Sequence, residues 1–211
     1  MSRRAGPGRP VCGGSPSVDR AGPTRQHPAT GSAFRAKLGR MSVDVPRSIV
    51  LLRHAKADWP QVADHERPLA ERGRLDAPAA GEWLAGQGIT PQLTLCSTAT
   101  RTRDTWKLAV SHLPQRPRTV YEERLYEAPP GAIIEVINEV PDEVRDLLVI
   151  GHNPGMQSVA EVLAGEADRE AQERLARGFP TAAVAVLRYT GSWKSVEPGS
   201  AQLTHFWAPH E

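Results

Sequence analysis

The run Ser48-Ile49-Val50-Leu51-Leu52-Arg53-His54-Ala55 constrains the fold of this chain more than any other stretch. Its four consecutive apolar residues, 49–52, are typical of a strand that is buried on both faces of a sheet. The run ends on Arg53 and His54, which a buried strand cannot carry in its middle because burying a charge is costly. Ligands of open α/β sheets bind at the carboxyl ends of the strands. The sequence therefore predicts that Arg53 and His54 border a ligand-binding crevice.

The chain divides by composition into a tail and a body. Residues 1–40 are rich in Arg, Gly and Pro and contain almost no large apolar residues, so they are predicted to be a disordered tail. Met41 follows the tail and is a candidate for the true start of the protein. The remaining residues, 41–211, are enough for one domain with a sizeable core.

The net charge of +2 is unevenly distributed, and this distribution excludes some classes of partner. The tail has eight Lys or Arg and one Asp, so the body has 18 basic and 23 acidic residues. A mildly acidic body does not favour nucleic acid as a partner. No apolar run is long enough to span a bilayer, which predicts no membrane association. Two cysteines, Cys12 and Cys96, favour a reducing compartment, and we expect a cytoplasmic protein.

Short apolar segments alternate with helical ones along the body. The predicted strands are 48–52, 93–96, 118–121, 146–150, 182–187 and 202–207, and the predicted helices are 71–85, 100–113, 131–139 and 156–163. Residues 165–177 are charged and are predicted to form a solvated helix or a loop. This alternation predicts an α/β fold with a mostly parallel sheet, helices on both faces and an antiparallel edge.

The first predicted helix, 71–85, has an apolar face and an internal proline. Its apolar face is predicted to include Leu75, Trp83 and Leu84. Pro78 either kinks this helix or lies in its first turn, with Asp76 as the N-terminal cap.

Three of the predicted strands end on polar residues. These residues are Arg53 and His54, then Ser97 with the nearby Arg101, then His152 with Asn153. The carboxyl ends of parallel strands open on one edge of the sheet, so these side chains are predicted to converge. The helix that begins near Gly155 directs its positive dipole end to the same edge. Several cations without a cluster of carboxylates suit a phosphate group, which the planar guanidinium of arginine matches well.

Each of these residues also has a simpler interpretation. His54 alone could be a structural histidine, His152 a helix cap, and Arg101 and Arg103 a solvated helix start. A metal site built from His54, Asp58 and His65 lacks the close spacing of metal ligands, so no metal is expected. A cysteine-based phosphatase would require an arginine six positions after Cys96, where the chain has Thr.

The combined pattern resembles a known family. Its parts, in chain order, are Arg53-His54-Ala55, Arg67-Pro68-Leu69 with Gly73, Ser97 with Arg101 and Thr105, and Gly151-His152. The pattern resembles the histidine phosphatase superfamily, and within it the short phosphohistidine phosphatases of the SixA type, over about residues 48–207. The resemblance implies a phosphoglycerate-mutase-like fold and no cofactor. It also implies that His54 becomes phosphorylated and that Arg53, Arg67, Arg101 and His152 surround the phosphoryl group.

The resemblance also implies a mechanism and a substrate class. Neutral His54 attacks phosphorus, protonated and positively charged His152 compensates the phosphoryl oxygens, and water then hydrolyses the phosphohistidine. Glu123 lies near the place where relatives that cleave esters carry a general acid, although it is equally well a solvent-facing charge. Protein phosphohistidine has a better leaving group than an ester and is the favoured substrate. The alternatives are a phosphomonoesterase or mutase acting on a small phosphorylated metabolite, and a non-catalytic anion-binding module.

The loop after the first strand completes the set of candidate residues. Asp58 and Trp59 are expected to line the entrance of the pocket, or else to be ordinary loop residues. Ser97 and Asn153 are expected to contact the phosphate or the substrate.

Overall fold

The computed structural model of the protein describes residues 45–210, so the tail predicted for residues 1–40 lies outside the described residues. The strands are β1 (Pro46–Arg53), β2 (Leu93–Ser97), β3 (Arg118–Glu122), β4 (Asp146–Gly151), β5 (Ala164–Ala167), β6 (Val184–Thr190) and β7 (Ala201–Trp207). The α-helices are α1 (Glu71–Gly86), α2 (Thr100–Ala109), α3 (Pro130–Asn138), α4 (Gly155–Leu163) and α5 (Arg169–Ala176).

The seven strands form one sheet in the order β3-β2-β4-β1-β6-β7-β5. Strands β3, β2, β4 and β1 are parallel to one another. Strand β6 is antiparallel to both β1 and β7, whereas β5 is parallel to β7. The mostly parallel α/β sheet predicted from the sequence is confirmed, and its antiparallel pairings involve the late strand β6.

Both faces of the sheet are covered because the buried side chains of β1 alternate in direction. Ile49 and Leu51 belong to a core cluster with the apolar residues of α3, α4 and α5. Val50 and Leu52 belong to a second cluster with those of α1 and α2. All four side chains are fully buried, as expected for a central strand between two helical layers.

The buried face of α1 differs from the prediction. Leu75 is 67% exposed, and the buried positions are mostly small residues that include Ala77, Ala80 and Gly81. The reason is the close approach of α1 to α2: a Cβ on Gly81 would overlap the carbonyl oxygen of Ala109.

The start of α1 also differs from one of the two predictions for Pro78. The helix begins at Glu71, so Pro78 lies inside it and Asp76 is not its cap. The buried Asp76 carboxylate instead accepts hydrogen bonds from Arg72 within the helix and pairs with His210 near the carboxyl end of the chain.

The charged segment 165–177 contains more regular structure than its sequence suggests. It includes the end of β5, which pairs with β7, and the helix α5, which buries Ala171 and Leu175. Among residues 45–210, no helix combines the length and the apolarity needed to cross a membrane.

Candidate active site

The ends of β1, β2 and β4 meet at one edge of the sheet. In the parallel pair of β1 and β4, Arg53 lies opposite Gly151. The backbone of His54 is held on both sides, because its N–H donates to the carbonyl of Gly151 at 3.0 Å and its carbonyl accepts from Ala182 at 3.1 Å. Because His152 directly follows Gly151, the two histidine rings lie with their centroids 5.2 Å apart.

The backbone next to His54 fixes the protonation of its imidazole. The ring Nδ1 lies 2.8 Å from the carbonyl oxygen of Ala55. A carbonyl oxygen only accepts hydrogen bonds, so Nδ1 carries the proton of the neutral ring and Nε2 carries the lone pair. The Ala55 N–H donates in turn to Thr105 Oγ1 at 2.9 Å, which ties this backbone to α2.

Three arginines act electrostatically on His54. Burial is the main cause that lowers the pKa of His54, to about 4, and the positive charges of Arg101, Arg53 and Arg67 lower it further. Arg53 lies at the end of β1, Arg67 in the loop before α1 and Arg101 in the first turn of α2. Their combined positive charge attracts an anionic ligand at His54.

Each of these arginines is anchored by a backbone carbonyl. Arg53 donates to Phe179 at 2.7 Å, Arg67 to Asp58 at 2.9 Å and Arg101 to Asp64 at 2.6 Å. A guanidinium has five N–H donors, so an arginine held on one edge keeps further donors for a ligand. This anchoring orients the three groups without using up their donors.

His152 is buried, with 5% of its surface exposed, and its Nε2 lies 2.8 Å from Ser97 Oγ at the end of β2. Burial is the main cause that lowers its pKa, to about 3. His152 is therefore neutral at pH 7 in this structure, which differs from the protonated state expected from the sequence. A phosphoryl dianion beside the ring would favour the cation and raise this pKa again.

The other sequence-predicted residues make contacts beside this centre. Trp59 is 75% exposed, and the guanidinium carbon of Arg67 lies 3.2 Å from the centre of its ring. The Asp58 carboxylate accepts from the backbone of Trp59. Asn153 donates to the carbonyl of Phe179, as Arg53 does.

Glu123 is the predicted site residue with the fewest contacts. It lies in the 3-10 turn Glu123–Leu125, directly after β3, and it is exposed. Its carboxylate makes no hydrogen bond within residues 45–210, whereas the adjacent Glu122 is paired with Arg124. The structure thus brings six predicted residues into one constellation, Arg53, His54, Arg67, Ser97, Arg101 and His152, and leaves Glu123 outside their contacts.

Two residues that contact the constellation were missed in the sequence. Asp64 Oδ1 accepts from Arg67 at 3.0 Å, and its Oδ2 accepts from Arg101 at 3.0 Å and from the Tyr126 hydroxyl at 2.6 Å. The Tyr126 ring also packs edge-on against His152, with centroids 5.4 Å apart. The spacing of Asp64 three residues before Arg67 was the available signal, but several other acids occur in the same loop.

Comparison with known proteins identifies the family. The family model for the histidine phosphatase superfamily (branch 1) matches residues 49–191, which include all six residues of the constellation. The chain belongs to the histidine phosphatase superfamily. It is therefore a phosphatase, as predicted.

Individual relatives of this histidine phosphatase agree with that assignment. An uncharacterized protein of Mycobacterium tuberculosis is 47% identical over 161 residues, which cover 75% of this chain and 99% of that protein. A solved structure from Nakamurella multipartitia, described as a candidate phosphohistidine phosphatase SixA, is 32% identical with a TM-score of 0.70 and covers 79% of this chain and 98% of its own. A second such structure, from Agrobacterium tumefaciens, is 31% identical with a TM-score of 0.64 and covers 77% and 99%. A solved phosphoglycerate mutase from Plasmodium falciparum is 17% identical with a TM-score of 0.52, and this similarity confirms the phosphoglycerate-mutase-like fold.

The environment of Cys96 in the histidine phosphatase argues against cysteine chemistry. Cys96 is fully buried in β2, and its thiol lies 3.4 Å from the carbonyl oxygen of Ser97. Burial raises the pKa of this thiol to about 12. Because the thiolate is the nucleophilic form, Cys96 is not a nucleophile near neutral pH.

The lowered pKa of His54 predicts a loss of stability in mild acid. Above about pH 6.5 the ring is neutral in both the folded and the unfolded chain, whereas between pH 6.5 and about 4 only the unfolded chain takes up the proton. The free energy of unfolding therefore falls as the pH drops through this window, by on the order of 2 kcal/mol between pH 7 and pH 5 for this one group.

Chemical denaturation of the wild type and of His54→Gln at pH 7 and pH 5 measures this contribution. The variant keeps all the other titrating groups, so the wild type should lose more stability than the variant by that amount. Equal losses in the two proteins would show that His54 takes up protons alike in the folded and unfolded chains.

Proposed function

We propose that this phosphatase removes the phosphoryl group from phosphohistidine in proteins, through a phosphohistidine intermediate on His54. The observation that carries the proposal is the bond from the His54 ring to the Ala55 carbonyl, because it leaves the lone pair on Nε2. The lowered pKa keeps that lone pair free of a proton at neutral pH. A neutral imidazole among three guanidinium groups combines a nucleophile with a site for an anion.

In the first step, Nε2 of His54 attacks phosphorus in line with the leaving group. A new bond forms between phosphorus and Nε2, and the bond between phosphorus and the substrate imidazole nitrogen breaks. The electron pair of that bond stays with the departing imidazole, which already carries a proton on its other nitrogen or takes one from solvent. Such a transfer requires little covalent chemistry from the protein beyond positioning and charge stabilisation.

The arginines stabilise the charge on the phosphoryl oxygens during this step. Arg53, Arg67 and Arg101 are each held by a backbone carbonyl, so their remaining N–H groups are oriented before the substrate arrives. Donors that are already oriented need no rearrangement in the transition state. This is the reason for assigning these three residues to phosphate binding.

His152 and Ser97 supply a further donor to the phosphoryl group. When the Ser97 hydroxyl donates to Nε2 of His152, the ring proton lies on Nδ1, a buried atom with no hydrogen-bond partner among residues 45–210. This N–H then donates to a phosphoryl oxygen.

In the second step, water attacks the phosphorus of phosphorylated His54. The bond to Nε2 breaks, its electron pair returns to the ring, and the proton from water leaves with inorganic phosphate or to solvent. The enzyme returns to its starting state, and neither step consumes a cofactor. The three arginines again stabilise the charge on the transferred group.

The carboxylates near the site favour phosphohistidine over an alkyl ester. Asp64 is hydrogen-bonded to Tyr126 and to two arginines, which hold the pKa of this carboxyl well below its usual range, so it has no proton to give at neutral pH. Glu123 is exposed, and its carboxylate makes no hydrogen bond among the described residues. An alkoxide leaving group needs a proton donor, whereas an imidazole leaving group needs little help.

The exposed loop beside the site suits a protein substrate. Trp59 presents an open aromatic surface next to Arg67, and Asp58 shapes the backbone that carries it. We assign both to the entrance, and we assign Asn153, which donates to the same Phe179 carbonyl as Arg53, to substrate binding beside Arg53. The proposal includes a cytoplasmic location, which the free, buried Cys96 supports.

Turnover on matched peptides tests the substrate class. We expect kcat/KM for a phosphohistidine peptide to exceed that for a phosphoserine peptide of the same sequence by at least about 100-fold, because general acid catalysis contributes about 10²–10⁴ where it operates.

Glu123→Ala tests the remaining carboxylate, with the exposed Glu135→Ala as the matched control. If Glu123 is a general acid, its loss slows the phosphoserine peptide and spares the phosphohistidine peptide.

Equal or better turnover of the phosphoserine peptide, or of small phosphorylated metabolites, would contradict the proposed substrate. In that case the protein is a phosphomonoesterase or a mutase with the same nucleophile. Binding of phosphate without turnover of any of these substrates would instead identify an anion-binding module.

A further inference from the structure

Asp64 joins three segments of the chain at the candidate site. Its two carboxylate oxygens accept from Arg67, which is on the same loop, from Arg101 in α2, and from Tyr126 after β3. Its backbone carbonyl accepts a second bond from Arg101, so that guanidinium is held by both groups of one residue. No other carboxylate among residues 45–210 contacts either arginine.

The carboxylate binds the two guanidinium groups on one edge only. Arg67 also donates through Nε to Asp58, and its second terminal nitrogen has no protein acceptor within the described range. The Nε of Arg101 likewise has no acceptor there. Both arginines therefore retain donors for a phosphoryl group while Asp64 fixes their relative placement.

We propose that Asp64 is a positioning residue that sets Arg67 and Arg101 at the spacing required by the transferring phosphoryl group. This inference rests on the proposed function, in which both arginines stabilise that group. Two guanidinium groups repel each other, and a carboxylate between them reduces this repulsion while fixing the direction of both forks. Tyr126 holds the carboxylate through its 2.6 Å hydrogen bond.

The loop that carries Asp64 is folded by other interactions. Ala57 pairs with Leu69 in an antiparallel bridge, and the N–H of Ala70 donates to Lys56 at 2.9 Å. Gly73 packs so tightly on this backbone that a Cβ there would overlap the Lys56 carbonyl oxygen. The Asp64 side chain itself is 42% exposed. Replacing it should therefore change the arginines more than the fold.

The substitution Asp64→Asn tests the inference because it keeps the shape and changes the hydrogen bonding. An amide has one acceptor oxygen, so at most one arginine keeps its partner, while the NH₂ group is placed against a donor. We expect kcat for an aryl phosphate to fall by about 10–100-fold, since small misplacements of positioned groups cost this much. We expect KM to change by less than about threefold, because the extra net positive charge favours the dianionic ground state.

Two further variants accompany this measurement. Glu66→Gln removes an exposed carboxylate from the 3-10 turn Asp64–Glu66, which also carries Asp64, and should retain wild-type kcat. Tyr126→Phe removes only the hydroxyl that donates to Asp64 and should lower kcat by a smaller factor than Asp64→Asn. Thermal melts should show that all three variants unfold cooperatively and well above the assay temperature, which separates misplacement from unfolding.

Three results would overturn the positioning role. Unchanged kcat in Asp64→Asn would show that the arginines do not depend on the carboxylate, and a higher kcat would identify Asp64 as an anion that competes with substrate. A rise in KM at constant kcat would show that Asp64 contributes only to substrate binding in the ground state. The proposed function fails separately, when His54→Ala retains wild-type turnover, whatever Asp64→Asn does.

Discussion

Replacing His54 with alanine is expected to lower turnover of an aryl phosphate by at least about 10⁴-fold, because it removes the atom to which the phosphoryl group is transferred. His152 and Cys96 cannot take over this role. In His152, Nε2 is bonded to Ser97 and Nδ1 carries the ring proton, and Cys96 is buried as a neutral thiol. Steady-state release of inorganic phosphate measures the effect.

The matched control for this substitution is His205→Ala. His205 is an exposed histidine of β7 whose ring contacts Thr204 and Trp83. We expect the control to retain wild-type turnover and His54→Ala to remain folded, since a smaller side chain at a strand end relieves burial of a polar ring. Turnover in His54→Ala within tenfold of the wild type would contradict the role of His54.

The second large effect is expected for Arg101. This side chain is 4% exposed, lies in the first turn of α2 and is one of the charges that act on His54. Arg101→Ala should lower kcat by about 10²–10³-fold, the usual cost of removing one preorganised donor from a developing anion. Arg101→Lys should recover only part of this loss, because an ammonium cannot reproduce the fork that binds both the carboxylate and the carbonyl of Asp64.

Arg103→Ala is the matched control for Arg101→Ala. Arg103 lies two residues further along the same helix, is exposed, and packs over the ring of Tyr121. It has the same charge without a contact to the constellation, so we expect less than a twofold change in kcat. Similar losses in the two variants would mean that Arg101 acts through its charge alone and not through oriented N–H donors.

The parts of the site that follow from strand order were predictable from the sequence. Buried parallel strands are recognisable as apolar runs, and the residues after them must lie at one edge of the sheet. The convergence of His54, Ser97 and His152 follows from this rule. A cation in the first turn of a helix is unfavourable unless an anion binds there, but this rule alone does not separate Arg101 from the exposed Arg103.

The parts that depend on loops were not predictable. Asp64 and Tyr126 are separated by 62 residues and follow no periodic pattern, so their hydrogen bond depends on how two surface connections fold back over the site. The exposed Leu75 has a similar cause, because the spacing of apolar residues does not reveal that α1 packs closely on α2 through Gly81.

The protonation of His152 could not be predicted from the sequence either. The sequence placed it among cations and an expected phosphate, which favours the charged form. The structure adds almost complete burial and one hydroxyl partner, which favour the neutral form. The pKa of His152 depends on the balance between burial of its ring and the charge of a bound anion, and this balance is set by the folded site.

The most direct test of the account is to find the phosphoryl group on the protein. The wild type is mixed with a phosphohistidine peptide, quenched in alkali within one turnover, digested and analysed by mass spectrometry. We predict one added phosphoryl group on the peptide that contains His54, acid-labile as expected of a phosphohistidine and missing in His54→Ala. Turnover without any phosphorylated His54, or with the group on another residue, would contradict the account.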